Sequence, residues 1–265
     1  MKSQRVTRRD FLRIVGASSV AGLAALAVGK ERSAASPQTV TETRLLIGTV
    51  INLTLVTSDR LAGQSAINAC LDHMSRLEAV FSRYQPTSQL SRLNRDGFLV
   101  AANPHLLHVL REATRISSLT DGAFDVTVKP LVDLYEKSVG AGLGLPSEER
   151  ITSTLERIGY QRLGISNSAV SFLQPNMGIT LDGIAKGYIV DEGTRVLRQH
   201  GYDNVLVEAG GDLFASGRKA QDTPWRVGLQ SPRGNNADLL LVFSVSQQAA
   251  ATSGDYMQPY SNTLA

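Results

Sequence analysis

An aspartate, a glycine and a lysine within five residues form the part of this sequence best suited to hold a phosphorylated ligand. Asp182-Gly183 forms a turn signal, and Lys186 follows about one helical turn later. A helix that begins after the glycine leaves backbone N–H groups free and exposes its positive dipole end, and both attract phosphate. Lys186 adds a full charge there, and the Asp182 carboxylate suits a hard cation. The alternative interpretation is an ordinary strand–turn–helix connection with a solvated lysine.

Three further polar clusters also follow predicted strands or helices. They are Phe124-Asp125, Gly210-Gly211-Asp212 and Ser253-Gly254-Asp255. Paired glycines let the backbone approach a ligand closely, and an adjacent aspartate can bond to sugar hydroxyls or hold water on a metal. Because aspartate also simply forms turns, each cluster alone favours a structural role. Together the four clusters favour a ligand site formed where the loops converge.

Histidine and cysteine give weaker signals. His105 and His108 have a helical spacing that suits a metal, but we recognise no third ligand beside them. With His73 and His200, they are interpreted as surface histidines. Cys70 is the single cysteine, so it forms no internal disulfide, and its position in a helical pattern predicts a buried thiol.

The elements that must position these residues are predicted helices early in the chain and predicted strands late. Apolar residues at helical spacing predict helices, and alternating or β-branched runs predict strands. Predicted helices cover residues 62–81, 88–94, 104–121, 147–158 and 184–201, with a short one after 130. Predicted strands cover residues 45–56, 170–173, 179–181, 205–207, 213–215, 225–229, 239–245 and 249–252.

The order of these elements predicts an α+β fold. We expect a single domain of mixed, mostly antiparallel sheet with flanking helices, because strands and helices do not alternate as in a parallel fold. Within it, the strands at 170–173 and 179–181 are expected to form a hairpin around residues 174–176.

The first 36 residues differ in composition from the rest. They contain Arg8-Arg9 followed by an apolar run at 14–28 and then small residues. This pattern predicts a twin-arginine signal peptide over residues 1–36, export to the periplasm, and no stable membrane span after the signal is removed. The alternative is a retained N-terminal anchor. The formal net charge is +3, of which this segment supplies +5, so residues 37–265 carry −2. A mildly acidic body does not predict nucleic-acid binding.

Seven short motifs, taken in order, resemble the ApbE-type family of FAD:protein FMN transferases. They are Ile47-Gly48-Thr49, Phe81-Ser82-Arg83-Tyr84, 88–94 (Ser-Gln-Leu-Ser-Arg-Leu-Asn), Phe124-Asp125-Val126-Thr127, 181–188 (Leu-Asp-Gly-Ile-Ala-Lys-Gly-Tyr), Ala209-Gly210-Gly211-Asp212 and 252–256 (Thr-Ser-Gly-Asp-Tyr). Each motif alone is weak, but their order and spacing across residues 45–256 make the match specific. The resemblance implies an ApbE-like domain that binds FAD and Mg²⁺. It would carry out protein flavinylation, transferring FMN to a Ser or Thr of an exported acceptor protein and releasing AMP.

The resemblance also implies a role for individual residues. The carbonyl of Gly183 would be one metal ligand, and no catalytic residue is assigned. Ile47 stands where the family usually has methionine, which keeps an apolar wall. The residues that would line FAD are Ile47, Tyr84, Ala123, Phe124, Asp125, Thr180 and Lys186.

The match has one departure, at the end of the chain. Family members continue to a His-bearing segment and to Asp and Thr residues that complete the metal site, whereas no histidine follows His200 and no aspartate follows Asp255 here. We therefore expect that residues 37–265 lack the C-terminal part of the domain and that the chain transfers FMN poorly or not at all. Two alternatives are a non-catalytic FAD-binding protein and a metal-dependent FAD pyrophosphatase that uses water.

Overall fold

A computed structural model describes residues 36–231 and 239–253 of the chain. Its strands are β1 Gln38–Leu46, β2 Thr49–Thr57, β3 Phe98–Val100, β4 Leu163–Ile165, β5 Ala169–Phe172, β6 Val205–Ala209, β7 Asp212–Ser216, β8 Trp225–Gln230, β9 Leu239–Val245 and β10 Gln248–Ala250. Its helices are α1 Arg60–Phe81, α2 Gln89–Asp96, α3 Pro104–Leu119, α4 Lys129–Gly140, α5 Glu148–Leu155 and α6 Ala185–Gln199. Short 3₁₀ turns cover Val126–Val128, Tyr160–Arg162 and Ala220–Asp222. The predicted Arg8-Arg9 segment and Gly254-Asp255 lie outside the described residues.

The strands form antiparallel sheets throughout the described part of the chain. The main sheet has the order β1-β2-β6-β7-β10, a second has the order β3-β5-β4, and β8 pairs with β9. This arrangement confirms the predicted α+β fold with flanking helices. Among the described residues, no helix combines the length and apolar character needed to cross a bilayer.

Helices α1 and α6 cover one face of the main sheet and pack against each other. Leu53 of β2 and Val207 of β6 are fully buried in the core that the helices share with the sheet. Gly193 allows α6 to approach α1 closely, since a Cβ at that position would lie 3.2 Å from both Cys70 Sγ and Met74 Sδ. Each large apolar side chain buried here contributes roughly 1.5–3 kcal/mol, so this helix–sheet layer holds the start of α6 in place.

Cys70 confirms the predicted buried thiol. It has no exposed surface, and its Sγ donates to the Gly193 carbonyl at 3.4 Å. Burial raises the pKa of this thiol to about 12.

The β8–β9 hairpin covers the opposite face of the main sheet. Trp225 is almost fully buried there, and its indole N–H donates to the Ser216 carbonyl at 2.9 Å. Leu206 packs against this second cluster, whereas its neighbours in β6 face the helices. Successive side chains of a strand point to opposite faces of the sheet, so Leu206 must face the hairpin when its two neighbours face the helices.

The prediction of one strand over residues 45–56 is wrong, because the structure places a hairpin there. Ile47 and Gly48 form the turn between β1 and β2, with φ angles of 49° and 72°. Two positive φ angles suit a two-residue hairpin turn. Two turn residues preserve the alternation of apolar positions, and β1 is largely exposed, so the sequence pattern did not show the reversal.

The predicted hairpin between residues 170–173 and 179–181 is also wrong. Strand β5 pairs with β3 and β4, and the later segment has its backbone bonded elsewhere. The Asn94 side chain accepts from the Ile179 N–H at 2.7 Å and donates to the Ile179 carbonyl at 2.8 Å. The Thr180 N–H donates to the Val126 carbonyl at 2.8 Å. These bonds take the place of a strand partner.

The predicted helices are confirmed, and local capping explains where α2 and α3 begin. The Ser88 hydroxyl accepts from the Ser91 N–H at the start of α2. Asn103 caps α3 ahead of Pro104 at the first helical turn. Side-chain oxygens at these positions satisfy N–H groups that would otherwise lack a partner.

Replacing Asn94 by alanine should destabilise the protein by about 2–4 kcal/mol. The change leaves two backbone groups of Ile179 without partners, and each such group costs about 1–3 kcal/mol. Urea unfolding of the variant measures the effect. Arg92→Ala, at an exposed position of the same helix, is the control and should change stability by no more than about 0.5 kcal/mol. Equal stability of the two variants would show that the link contributes nothing.

Candidate functional site

Three turns meet at one end of the main sheet. The pairing of Ile51 with Ala209 places the β1–β2 turn beside the β6–β7 turn. The Gly210 N–H donates to the Val50 carbonyl at 3.1 Å, which joins these two turns directly. The start of α6 reaches the same place through the side chain of Lys186.

Lys186 connects the start of α6 to the β6–β7 turn. Its Nζ donates to the Gly210 carbonyl at 3.1 Å and lies 3.3 Å from Asp212 Oδ2. The Lys186 side chain is 30% exposed. Because an ammonium has three N–H donors, these two contacts leave one donor for a ligand.

The start of α6 carries free backbone donors. No side chain caps the helix. The Ile184 and Ala185 N–H groups both donate to the Leu181 carbonyl, at 3.0 and 2.8 Å. Among the described residues, the N–H groups of Lys186 and Gly187 have no hydrogen-bond partner. Free N–H groups at a helix start, with a lysine ammonium beside them, form an anion-binding surface.

Phe124 lies beside the turn that precedes α6. A Cβ added to Gly183 would be 3.3 Å from Phe124 Cε2, so the ring packs directly on this glycine. The Phe124 N–H donates to the Thr120 hydroxyl at 3.1 Å, and the preceding Ala123 is exposed. The structure therefore brings Phe124 and Gly183 together, with Lys186 one turn further along the helix.

Asp125 is occupied mainly by the protein's own backbone. Its Oδ1 accepts from the Thr127 N–H at 2.7 Å and from the Thr127 hydroxyl at 2.6 Å. Its Oδ2 accepts from the Tyr160 N–H at 2.8 Å. Each carboxylate oxygen offers about two acceptor sites, so Oδ2 keeps one for a ligand. The main effect of Asp125 here is to fix the loop that carries Phe124.

Arg83 links two of the predicted site residues, although the sequence suggested no role for it. Its guanidinium carbon lies 4.7 Å from the centroid of the Tyr84 ring, and its Nη2 donates to Glu136 Oε1 at 3.0 Å. Its Nε forms an ion pair with Asp182 Oδ2 at 3.0 Å. This buried Nε–H does not point at an acceptor among the described residues, so it makes no hydrogen bond there. This ion pair offsets part of the negative charge at Asp182. The Tyr84 side chain is 76% exposed and can contact a ligand.

Thr180 and Ile47 hold two of the turns at the site in place. Thr180 is buried, and its hydroxyl accepts from the Asp182 N–H at 3.3 Å. Ile47 packs against the main core while holding a positive φ that is unfavourable for a β-branched residue. Thr180 thus stabilises the turn before α6, and Ile47 anchors the β1–β2 turn to the core.

A cleft of about 370 Å³ lies elsewhere, beside α4 and α5. Its basic and acidic side chains are Lys129, Lys137, Arg150, Arg157 and Asp133. None of the residues predicted to line FAD contributes to this cleft. No single stretch of the sequence indicates this cleft, because its charges come from two separate helices and their flanking residues.

The interpretation of the histidines as surface residues without a further ligand is wrong for two of them. His73 Nε2 lies 3.0 Å from Glu192 Oε2, and their side chains are only 14% and 13% exposed. The ring of His105 lies 5.6 Å from that of His73, centroid to centroid. The three residues lie on α1, α3 and α6, so no local spacing in the sequence could reveal the cluster.

Burial and charge determine the protonation of this cluster. Burial lowers the pKa of His105, with a smaller contribution from the nearby His73, while Glu192 opposes the shift. Burial alone would raise the pKa of Glu192, but hydrogen bonds from Arg195 and His73 outweigh it and hold that pKa below its usual range. His105 is therefore neutral and Glu192 ionised at neutral pH.

Comparison with known sequences identifies the family. The sequence model of the ApbE family matches residues 47–263. The chain belongs to the ApbE family. An FAD:protein FMN transferase of Vibrio cholerae is 31% identical over 216 residues, which are 79% of this chain and 64% of that protein. An FAD:protein FMN transferase of Escherichia coli K12 is 30% identical over 194 residues, covering 69% of this chain and 54% of the relative. The chain thus spans less than two thirds of the length of these two relatives.

Solved structures of ApbE proteins share the fold. The flavin transferase ApbE from Vibrio cholerae superposes with a TM-score of 0.70 and 29% identity, covering 85% of this chain and 75% of that one. The ApbE protein from Thermotoga maritima gives a TM-score of 0.74 at 29% identity, covering 83% and 72%. These matches confirm the predicted ApbE-like α+β domain.

Gly210→Ala should destabilise the protein more than Gly48→Ala. Both glycines have positive φ angles, which cost a residue with a Cβ about 1–2 kcal/mol. Only at position 210 would the new Cβ also collide with Thr49, at 2.1 Å from its Oγ1, whereas position 48 has open space. Urea unfolding should therefore give a loss for Gly210→Ala at least about 1 kcal/mol larger. Equal losses would argue against the close approach of the two turns.

Proposed function

We propose that this ApbE-family chain is an FAD:protein FMN transferase, which transfers FMN from FAD to a Ser or Thr hydroxyl of an acceptor protein and releases AMP. The relatives bear that name. The structural observation that supports it is the uncapped start of α6, where Lys186 stands beside free N–H groups. A diphosphate needs such a surface, because backbone donors and a cation together balance its charge.

The aromatic side chains next to this surface suit the remainder of FAD. Phe124 borders Gly183, and the exposed Tyr84 is joined to Asp182 through Arg83. Aromatic faces favour offset stacking with planar rings. FAD would thus place its diphosphate on the start of α6 and a ring system against these residues.

Magnesium fits the oxygen donors at the same turn. Among the described residues, the Gly183 carbonyl has no hydrogen-bond partner, and the Asp182 carboxylate is 59% exposed. Hard oxygen donors of this kind suit Mg²⁺, which keeps several waters and takes phosphate oxygens as further ligands. Bound there, the ion would neutralise charge on the phosphates and on the leaving AMP.

The proposed reaction is a phosphoryl transfer. The acceptor hydroxyl oxygen forms a bond to the phosphorus of the FMN half, and the bond from that phosphorus to the bridging oxygen breaks. AMP leaves with the bridging oxygen, and the hydroxyl proton is released. Lys186 and the helix N–H groups would hold the diphosphate in position and stabilise its charge, which is the main contribution a protein makes to this class of reaction. No residue is assigned as the base.

We also propose that the chain acts in the periplasm on an exported acceptor. This proposal rests on Arg8-Arg9 and the apolar run after it, which is typical of proteins exported already folded. The acceptor would then be a protein domain that reaches the same compartment.

Incubation of the purified chain with FAD, Mg²⁺ and a flavin-acceptor domain tests the activity. Covalent flavin on the acceptor and an equal amount of AMP are expected, and a metal chelator should abolish both. Free FMN with AMP would indicate a pyrophosphatase instead, and intact bound FAD would indicate a passive FAD-binding protein.

Lys186→Ala should weaken FAD binding by roughly ten- to a hundredfold, because a hydrogen bond to a charged group contributes about 1.5–3 kcal/mol. Isothermal calorimetry with FAD measures the loss. Lys137→Ala is the matched control, since Lys137 lies in the cleft beside α4 and should leave the affinity unchanged. A loss seen only with the Lys137 variant would place the diphosphate in that cleft and contradict the proposed position.

A further inference from the structure

The cluster of His73, His105 and Glu192 has the composition of a metal site. One ligand atom from each residue can be chosen so that all three lie within 4.8 Å of one another. Two imidazoles and one carboxylate are a common protein ligand set for zinc, with water in the fourth position. Imidazole nitrogen favours Zn²⁺ over Mg²⁺, which prefers oxygen donors.

The distances are compatible with a bound ion after small adjustments. Ligand atoms about 2.0–2.1 Å from a tetrahedral Zn²⁺ are roughly 3.3 Å apart. His73 Nε2 and Glu192 Oε2 are already 3.0 Å apart. The remaining atoms need to move by at most about 1.5 Å to reach tetrahedral spacing.

Neighbouring side chains hold the ligands in suitable orientations. His105 Nδ1 is 2.6 Å from the Tyr188 hydroxyl, so an Nδ1–H that donates to this oxygen would leave Nε2 free for a metal. Arg195 Nε donates to Glu192 Oε1 at 3.0 Å, and its Nη2 donates to Oε2 at 2.7 Å. The bond to Oε1 can persist while Oε2 exchanges its bond to Nη2 for an ion. Outer partners of this kind are typical of metal sites, where they fix the tautomer and orientation of the ligands.

We propose that His73, His105 and Glu192 bind one Zn²⁺ ion and so fasten α1, α3 and α6 together. The site is separate from the diphosphate surface, because residues of a helix are about 100° apart around its axis. Glu192 and Tyr188, which contacts His105, lie on α6 with Lys186. Around the helix axis, Tyr188 is about 160° and Glu192 about 120° away from Lys186. The zinc site is independent of the transferase proposal and would exist whether or not the chain transfers FMN.

Competition between the full metal-free chain and a colorimetric zinc chelator tests the proposal. The wild type should bind one Zn²⁺ per chain, and added zinc should raise its melting temperature. His73→Ala, His105→Ala and Glu192→Gln should each lower the zinc affinity by at least about tenfold, as the loss of even an outer partner does. Excess Mg²⁺ should not displace the zinc.

Two control variants make the result specific. His200→Ala removes a histidine that bonds to the Val196 carbonyl of its own helix, and Asp182→Asn removes the carboxylate next to Gly183. Neither should change the zinc affinity. Circular dichroism and the melting temperature without zinc identify any ligand variant that does not fold, and Glu192→Gln, which keeps a side chain able to bond to Arg195, is the conservative replacement.

The proposal would be overturned if the wild type bound zinc no more tightly than His73→Ala. It would also be overturned if Asp182→Asn removed the binding, because the ion would then lie at the turn before α6. In either case the cluster is a hydrogen-bonded group of two histidines and a carboxylate that packs three helices together without a metal. Cobalt(II) gives a second measurement, since its visible absorption should show a four-coordinate site in the wild type and lose that signal in the histidine variants.

Discussion

The contact of the Lys186 ammonium with the Gly210 carbonyl and the Asp212 carboxylate sets the geometry of the site. It joins the first turn of α6 to a turn of the main sheet, and the hydrogen bond from Gly210 to Val50 extends the link to the β1–β2 turn. It fixes the ammonium group beside the free N–H groups of the helix and ties that group to the loops around it. The layer formed by α1 and α6 gives this contact a rigid base, because Gly193 lets the two helices pack closely.

The parts of the site that lie close together in sequence were predictable. Gly183 and Lys186 are three residues apart, and local geometry alone places them around the start of a helix. The predicted strands from 205 onward and the helical stripes were also recovered, because burial on one face imposes a period on the sequence. Both wrong strand assignments arose where the pattern of apolar residues does not show which backbone groups are hydrogen-bonded to each other. A side chain, Asn94, bonds to the 179–181 segment, and a two-residue turn reverses the chain without disturbing the alternation.

Contacts between distant elements were not predictable from one sequence. Arg83 lies in the motif Phe81-Ser82-Arg83-Tyr84, but its position between Tyr84 and Asp182 depends on how the end of α1 meets the turn before α6. The contact of His73 with Glu192 joins residues 119 apart in the chain. Such pairs share no period or motif, so only the packing of the three helices brings them together.

The burial of Cys70 has a consequence for the redox chemistry of the chain. A thiolate is the species that attacks disulfides and reacts with peroxides, and a thiol with a pKa of about 12 supplies almost none of it at neutral pH. The folded protein is therefore protected from mixed disulfides and from oxidation to sulfenic acid, even in an oxidising compartment. Covalent dimers formed through this cysteine would reveal molecules that have opened the packing between α1 and α6.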